Sequence, residues 1–367
     1  MLHKRRLPDP EAADLGRIFD AKIRFLCWLL RSTPAARFGE TELRSALGDP
    51  MGDWFAARLQ KGTEQTIFGK AVDALRTLAE NDPTGAIICA DAIEHDAKFD
   101  VNWNTPGFEM RFSTLPGNWR EAIKPVGESF YDRWLSSEKG FPKAPFDLTN
   151  SNLTRNSIMT AFRKQSHGVC GYCDDPLGNI GTDKEANDCD HFFPKSLWPH
   201  LAIHPRNLFA ACKGCNEVWK LDNAPMGAGS VTELNETYHP EYRPGADAIT
   251  VTASRAAAGG RTVILSITDN SAPKRADTLN AVLDLQSRWT NDVNERLDGQ
   301  VSALVAESVH QIKRHKNIDQ SEIEAIVDDC IVYRNSCKGR TSRVLRDVAI
   351  LEYQRANQIA ELLVECK

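Results

Sequence analysis

Apolar residues recur at three- and four-residue steps from Asp9 to about Glu94, where Leu15, Ile18, Phe19, Ile23, Leu26 and Leu30 form one stripe and Val72, Leu75, Leu78 and Ala79 another. That period predicts amphipathic helices. Pro34, Gly48-Asp49-Pro50 and Asn81-Asp82-Pro83 cut them into several short ones. From Phe99 to Trp134 the chain is rich in aromatics (Trp103, Phe108, Phe112, Trp119, Phe130, Tyr131) broken by Pro106, Pro116 and Pro125. This predicts irregular segments wrapping a neighbouring core, with a base-stacking platform as the sharper alternative. Gly140 to Pro145 reads as a linker, after which Thr149-Asn150-Ser151 is expected to cap a helix running to about Ser166. Past Asp222 a Gly- and Pro-rich loop leads to two β-like runs, Ala248 to Ala253 and Thr262 to Thr268, joined at Gly259-Gly260 as a hairpin. Beyond Pro273 the helical period returns, with Leu279, Val282, Leu283, Trp289, Val293 and Leu297. The expected class is α+β and mostly helical, in three regions, 1–145, 146–225 and 226–367. No internal repeat is visible.

Composition changes little in this picture until the cysteines are counted. The 367 residues are 41% hydrophobic and 26% charged, an ordinary globular balance that excludes disordered, collagenous and coiled-coil chains. That length is more than one core usually serves. A formal net charge of −5 means that a nucleic-acid partner must be held by a local basic surface. The chain opens Met1-Leu2-His3-Lys4-Arg5-Arg6 with no apolar run behind the charges, and Phe25 to Leu30 is too short to span a bilayer. A cytoplasmic, reducing setting without membrane segments is therefore expected, and it turns the ten cysteines away from disulfides. Cys27, Cys89, Cys330, Cys337 and Cys366 are scattered singly and read as small buried apolar residues.

The other five fall between 170 and 215. Cys170-Gly171-Tyr172-Cys173 and Cys212-Lys213-Gly214-Cys215 are two Cys-x-x-Cys pairs whose tight turns aim both sulfurs at one point. A structural zinc site with four cysteine ligands fits this spacing. Two redox motifs are the competing reading, but the thioredoxin-like context that each needs is missing. Cys189 has no partner at metal spacing. Between the pairs, Asp190-His191 sits at the expected end of a short strand, Asn207-Leu208-Phe209-Ala210 forms a second strand, and Asn216 to Lys220 opens a helix.

In these residues the chain resembles the HNH endonucleases, the ββα-metal nucleases. Their pattern of Cys-x-x-Cys, Asp-His, Asn-Leu and Cys-x-x-Cys followed by His or Asn, with a Lys a few residues on, stands here as Cys170/Cys173, Asp190-His191, Asn207-Leu208, Cys212/Cys215, Asn216 and Lys220. The match covers about residues 165–222. Two departures are Asn216 where many members carry His, and Lys220 one residue later than the commonest spacing. The resemblance implies a metal-dependent phosphodiester hydrolase acting on DNA. His191 would take a proton from water, and Asp190 with Asn216 would hold one divalent ion, Mg²⁺ or Mn²⁺ given an oxygen-only donor set. It also gives Asn207 the task of fixing the loop that orients the histidine. The run from Asp277 to Leu285 with Arg288 resembles the C-terminal part of HNH nucleases of bacterial anti-phage systems such as Septu, which implies a regulatory ATPase or sensor subunit docking on the N-terminal region.

Blander readings stand beside these. His191 alone could be a buried structural histidine, Asn216 a helix cap and Asn207 a turn residue, and the whole could be a non-catalytic zinc-knuckle protein that binds nucleic acid or a partner. His200 and His204 are tempting extra ligands in a Pro-containing loop. Asp174, Asp175, Asp183, Glu185 and Asp188 read as a solvated acidic insertion. For nucleic-acid contact the local cations are Lys195, Arg206, Lys213 and Lys220, with Arg340 and Arg343 in an acid-free basic run from Arg334 to Arg346 and a smaller patch at Lys4-Arg5-Arg6.

Overall fold

The structure is a computed structural model that describes residues 2–32, 40–61, 64–149, 152–177, 187–224, 234–255, 263–296, 320–338 and 343–357. The predicted N-terminal helices are α1 (Asp9–Arg31), α2 (Glu40–Leu47), α3 (Met51–Leu59), α4 (Ile67–Asn81) and α5 (Pro83–Asp96), with a minimal antiparallel pair, β1 (Gln60–Lys61) and β2 (Glu64–Gln65), before α4. Their ends follow the local sequence. Thr66 caps α4 through Gly69 N at 2.9 Å, and Asp82 caps α5 through Gly85 N at 2.9 Å, with Pro83 in the first turn where its missing N–H costs nothing. The apolar stripe of α1 packs on α5, and Arg31 bridges to Asp91 (2.8 Å) and Glu94 (2.6 Å) on the outer side.

The aromatic stretch is more regular than its prolines predict. α6 (Gly117–Ser129) runs through Pro125 and continues as a wide π-helical segment, Phe130–Leu135. Packing explains this, because Phe130 and Trp134 sit edge-on to Phe68 at centroid distances of 6.3 and 4.9 Å, and Trp134 does the same to Trp54 at 4.8 Å. Tertiary contacts outweigh the lost helix bond. These rings are core, so the stacking-platform alternative gives way to the packing one.

Two further expectations change. Gly140 to Pro145 is not a free linker: β3 (Phe141–Pro142) pairs antiparallel with β4 (Asn152–Leu153), Phe141 is fully buried, and Lys143–Phe146 (α7) forms one helical turn. The next helix, α8 (Arg155–Ser166), starts later than predicted because Thr154 and Ser157 make a reciprocal capping box; Asn150 and Ser151 lie outside the described residues.

β5 (Asn187–His191) pairs antiparallel with β6 (Leu208–Cys212), in register from Asn187 opposite Cys212 to His191 opposite Leu208. The predicted hairpin is present as β7 (Thr250–Arg255) and β8 (Val263–Thr268), its glycine turn outside the described residues. Helices α9 (Pro273–Leu283), α10 (Leu285–Arg296), α11 (Gln320–Ser336) and α12 (Val344–Asn357) complete the described chain. The architecture is thus mostly helical with small two-stranded antiparallel sheets. One hydrophobic core runs across positions 145 and 225. Polar ties cross them too: Lys22 Nζ donates to Pro199 O at 2.7 Å, Tyr131 Oη to Cys189 O at 3.0 Å, and Leu2 joins Gly171 and Ala246 by backbone bonds of 2.8 Å each.

Candidate functional site

The end of β6 carries Cys212 to Cys170 and Cys173, so the two cysteine pairs meet. The Sγ atoms of Cys170, Cys173, Cys212 and Cys215 all lie within 4.8 Å of one another, and Cys173 and Cys212 are 3.6 Å apart. A disulfide needs about 2.05 Å, whereas four sulfurs around one zinc at about 2.3 Å stand roughly 3.8 Å apart. The cluster therefore fits a tetrahedral metal. Supporting donors are in place: the backbone N–H groups of Tyr172 and Cys212 both reach Cys170 Sγ at 3.4 Å. Burial first, then its sulfur neighbours, holds the Cys173 thiol well above the ordinary range, and at Cys215 the bond to Cys170 does the same with burial adding to it, whereas at Cys170 the bonds from Cys173, Cys212 and Cys215 outweigh burial and hold the thiol well below that range. Four thiols this close cannot all ionise without a cation among them. A zinc ion is what this donor set could bind.

The turn after Cys173 is a hub, not the solvated acidic loop expected from its composition. Asp174 is fully buried with φ +64° and accepts from His3 Nε2 at 2.7 Å and Leu345 N at 3.1 Å. Asp175 pairs with Arg346 (2.6 Å) and Arg288 (3.3 Å). Segments from both ends of the described chain thus meet at the cluster. Asp183 and Glu185 lie outside the described residues, and Asp188 falls in β5.

Beside the cluster opens a cleft of about 520 Å³ lined by Tyr131, Arg155, Asp190, His191, Lys195, Asn216 and Lys220, with Asp132, Ser136 and Asp222 among its other walls. His191 ends β5. Its Nε2 is 2.9 Å from Ala202 O, and since a carbonyl only accepts, Nε2 carries the proton and Nδ1 the lone pair of the neutral ring. Burial holds this imidazole well below the usual histidine range, with the Lys220, Lys195 and Lys22 ammoniums adding to the effect. Tyr131 packs edge-on against the ring at 4.4 Å.

Asp190 precedes it and is 4% exposed. Lys220 Nζ donates to Asp190 Oδ1 at 3.3 Å and to His191 O at 2.6 Å, and lies 3.2 Å from Oδ2, which receives no directed hydrogen bond. Burial raises the Asp190 carboxyl against the pull of Lys220. Asn216 and Lys220 ride on Gly214–Lys220, which is wound as a π-helix. Bonds there span five residues rather than four, so the lysine that stands one position late still reaches Asp190. Leu221 closes the turn at φ +48°, ψ −131° on the cleft wall, a conformation that costs a side-chain-bearing residue about 1–3 kcal/mol.

Asn207 does not line the cleft. Fully buried, it accepts from Phe193 N at 2.7 Å and donates to Phe193 O and Leu201 O at 3.1 and 3.0 Å. It therefore clamps the loop whose next carbonyl, Ala202 O, holds His191. His200 and His204 stand away from the cysteines, buried near Asp96 (3.7 Å) and Asp100 (3.9 Å), so neither is a ligand of the cluster. Cys189 is buried, and its thiol is pushed up to about 12 by burial.

The predicted basic contacts divide. Lys195 and Lys220 face the cleft, Lys195 paired with Asp132 at 2.5 Å. Arg206 pairs with Glu241 (3.0 Å), Lys213 with Glu217 (3.4 Å) and Arg343 with Asp292 (3.6 Å), and none of the three lines the cleft. Arg340 lies outside the described residues. Tyr131, Asp132 and Arg155 are cleft residues that the motif spacing could not reveal, since they come from the π-helical segment after α6 and from the start of α8, outside the motif. The aromatic stretch is the sequence signal for Tyr131 and Asp132, and nothing in the sequence singles out Arg155.

Among the described residues no helix is long and apolar enough to cross a membrane. Neither a family model nor a solved structure matches the chain. Over 69 residues it is 35% identical to the Septu protein PtuB of Bacillus thuringiensis, a stretch covering 18% of this chain and 25% of that protein. The chain therefore spans about a quarter of the curated relative it matches.

Proposed function

We propose that the chain is a metal-dependent HNH-type endonuclease that hydrolyses DNA in defence against phage. The observation that carries this reading is His191, a neutral imidazole with Nε2 committed to Ala202 O and a wall of the cleft shared with Asp190 and Asn216. The order of strand, strand and helical turn beside a four-thiol cluster supports the ββα-metal assignment. The partial likeness to PtuB supports the defence role and, with it, a regulatory partner subunit.

In this mechanism His191 Nδ1 accepts the proton of the attacking water while Ala202 O steadies the imidazolium that forms. Asp190 and Asn216 would hold a divalent ion, since both line the cleft with oxygen donors and an entering cation could take the place of the Lys220 ammonium that now lies 3.2 Å from Asp190 Oδ2. Magnesium or manganese held there would stabilise charge developing on the scissile phosphate. Lys195 and Arg155 draw the phosphate backbone in, and Asn207 keeps the loop under His191 rigid. Lys220 anchors the π-helical turn to the end of β5.

A second reading, a zinc-knuckle protein without catalysis, draws on one observation, the closure of Asp190 by Lys220. Nicking of supercoiled plasmid in Mg²⁺ or Mn²⁺ separates the two. The nuclease reading expects cleavage that falls about 10²–10⁴-fold in His191→Ala; no cleavage by the wild type, or full cleavage by the variant, overturns it.

A further inference from the structure

Arg288 lies far outside the cysteine motif, on α10, yet its guanidinium ends among the thiols. Nη1 is 3.6 Å from Cys215 Sγ and donates to Leu283 O at 3.1 Å, while Nη2 meets Asp175 Oδ2 at 3.3 Å. The side chain is 13% exposed. Its Cζ also stands 5.3 Å from the centroid of Trp219, whose π-helical turn carries Asn216 and Lys220. One side chain thus touches the cluster, the carboxylate beside it and the turn that enters the cleft.

A divalent metal with four thiolates carries a net charge of −2, and Cys170, Cys173 and Cys215 are fully buried. Burying that charge needs donors aimed at the sulfurs. Cys170 receives two backbone N–H groups, whereas Cys215 receives the guanidinium. Asp175 sharpens the need, because its Oδ2 lies 3.2 Å from Cys173 Sγ and would face a thiolate once metal is bound. Arg288 and Arg346 hold that carboxylate from two sides.

We propose that Arg288 is a positioning residue that compensates the thiolate charge of the four-cysteine metal site and ties it to the helical turn bearing Asn216 and Lys220. The proposal rests on the reading of the four cysteines as a metal site. A hydrogen bond weakens a thiolate as a donor, so removing it alters the metal–sulfur bond itself, which a role in packing alone would leave unchanged. The link to the cleft runs through the indole of Trp219, which lies on that turn.

The test is cobalt substitution of the full chain. In wild type, Co²⁺ gives the intense thiolate-to-metal charge-transfer band of a tetrahedral sulfur site. Arg288→Gln is expected to move that band to longer wavelength and to weaken zinc binding about 10–100-fold in competition with a chromogenic chelator. Arg288→Lys keeps the charge but cannot bridge Cys215 and Asp175 together, so it is expected to fall between the two and serves if the glutamine variant does not fold. On the nuclease reading, kcat for Mg²⁺-dependent nicking falls in these variants while KM holds. Wild-type band position and zinc affinity in both variants would overturn the proposal, as would a wild-type chain that takes up no cobalt. A shifted band with unchanged kcat would overturn the link to the cleft. A chain without nuclease activity sinks the proposed function, yet the cobalt spectra still decide on Arg288.

Discussion

Lys220 Nζ lies 3.2 Å from Asp190 Oδ2, and the lysine side chain is shut off from solvent while that of the aspartate is 5% exposed. Removing one member of such a pair leaves a buried charge without compensation, at a cost of about 3–5 kcal/mol, whereas removing both charges together can be nearly neutral. Lys220→Met is therefore expected to lower the urea midpoint sharply, and Lys220→Met with Asp190→Asn to recover most of the loss. Equal midpoints for the single and double variants would mean that the pair does not hold β5 to the π-helical turn.

At the mouth of the same cleft, Asp132 holds Lys195, and a phosphate must compete for that ammonium. Asp132→Asn is expected to tighten binding of a DNA oligonucleotide several-fold in low salt. The dependence of log Kd on log salt should steepen by about 0.9, the value of one added phosphate contact. Fluorescence anisotropy across a salt series measures both, and a slope equal to that of wild type removes Lys195 from the contact surface.

Asp96 supplies a pH dependence. Burial pushes its carboxyl up to about 7, although the backbone N–H groups of Arg111 and Phe112 pull the other way at 2.8 and 2.9 Å. Between about pH 4 and 7 the folded protein keeps this proton and the unfolded chain does not, so the contribution to stability is lost as pH rises through that window and levels off above it. The buried histidines 191, 200, 204 and 239 act with the opposite sign below about pH 6.5, because burial lowers each of them. Asp96→Asn isolates the acid. Its stability relative to wild type should grow from pH 5 to pH 8 by an amount on the order of a few kcal/mol, read from paired urea titrations, and a constant difference would refute the assignment.

Metal analysis should find one zinc per chain. Stripping it, or the substitution Cys173→Ser, should cost several kcal/mol and should loosen the first and last described segments before the rest, since His3, Leu345 and Arg346 are held by Asp174 and Asp175 in the turn that follows Cys173. Hydrogen exchange resolved by peptide reads this directly. Protection unchanged at residues 2–7 and 344–357 after metal removal would separate those segments from the cluster.

Much of the local architecture was written in the sequence because it depends on neighbours. Asn81-Asp82-Pro83 ended one helix and capped the next, and the step pattern of Leu15, Ile18 and Phe19 marked the face of α1 that is buried. Where distant packing competes with a local signal, the sequence misleads: Pro125 sits inside α6 because aromatic contacts from α3 and α4 hold the helix together, and Phe141 is core although glycine and proline surround it.

The same division runs through the site. Two Cys-x-x-Cys pairs and an Asp-His pair declare their chemistry by type and spacing, since one tight turn suffices to aim two sulfurs at a point. Sequence alone determined those donors. Only the tertiary structure decided what surrounds them: Tyr131 and Arg155 enter the cleft from separate helical segments, Arg206 turns away to Glu241, and Arg288 arrives at Cys215 from 73 residues further along the chain. The physical reason is range. Caps, turns and chelating pairs are satisfied within a few residues, whereas the burial and the compensating charges that set how those groups behave come from segments whose meeting no local pattern records.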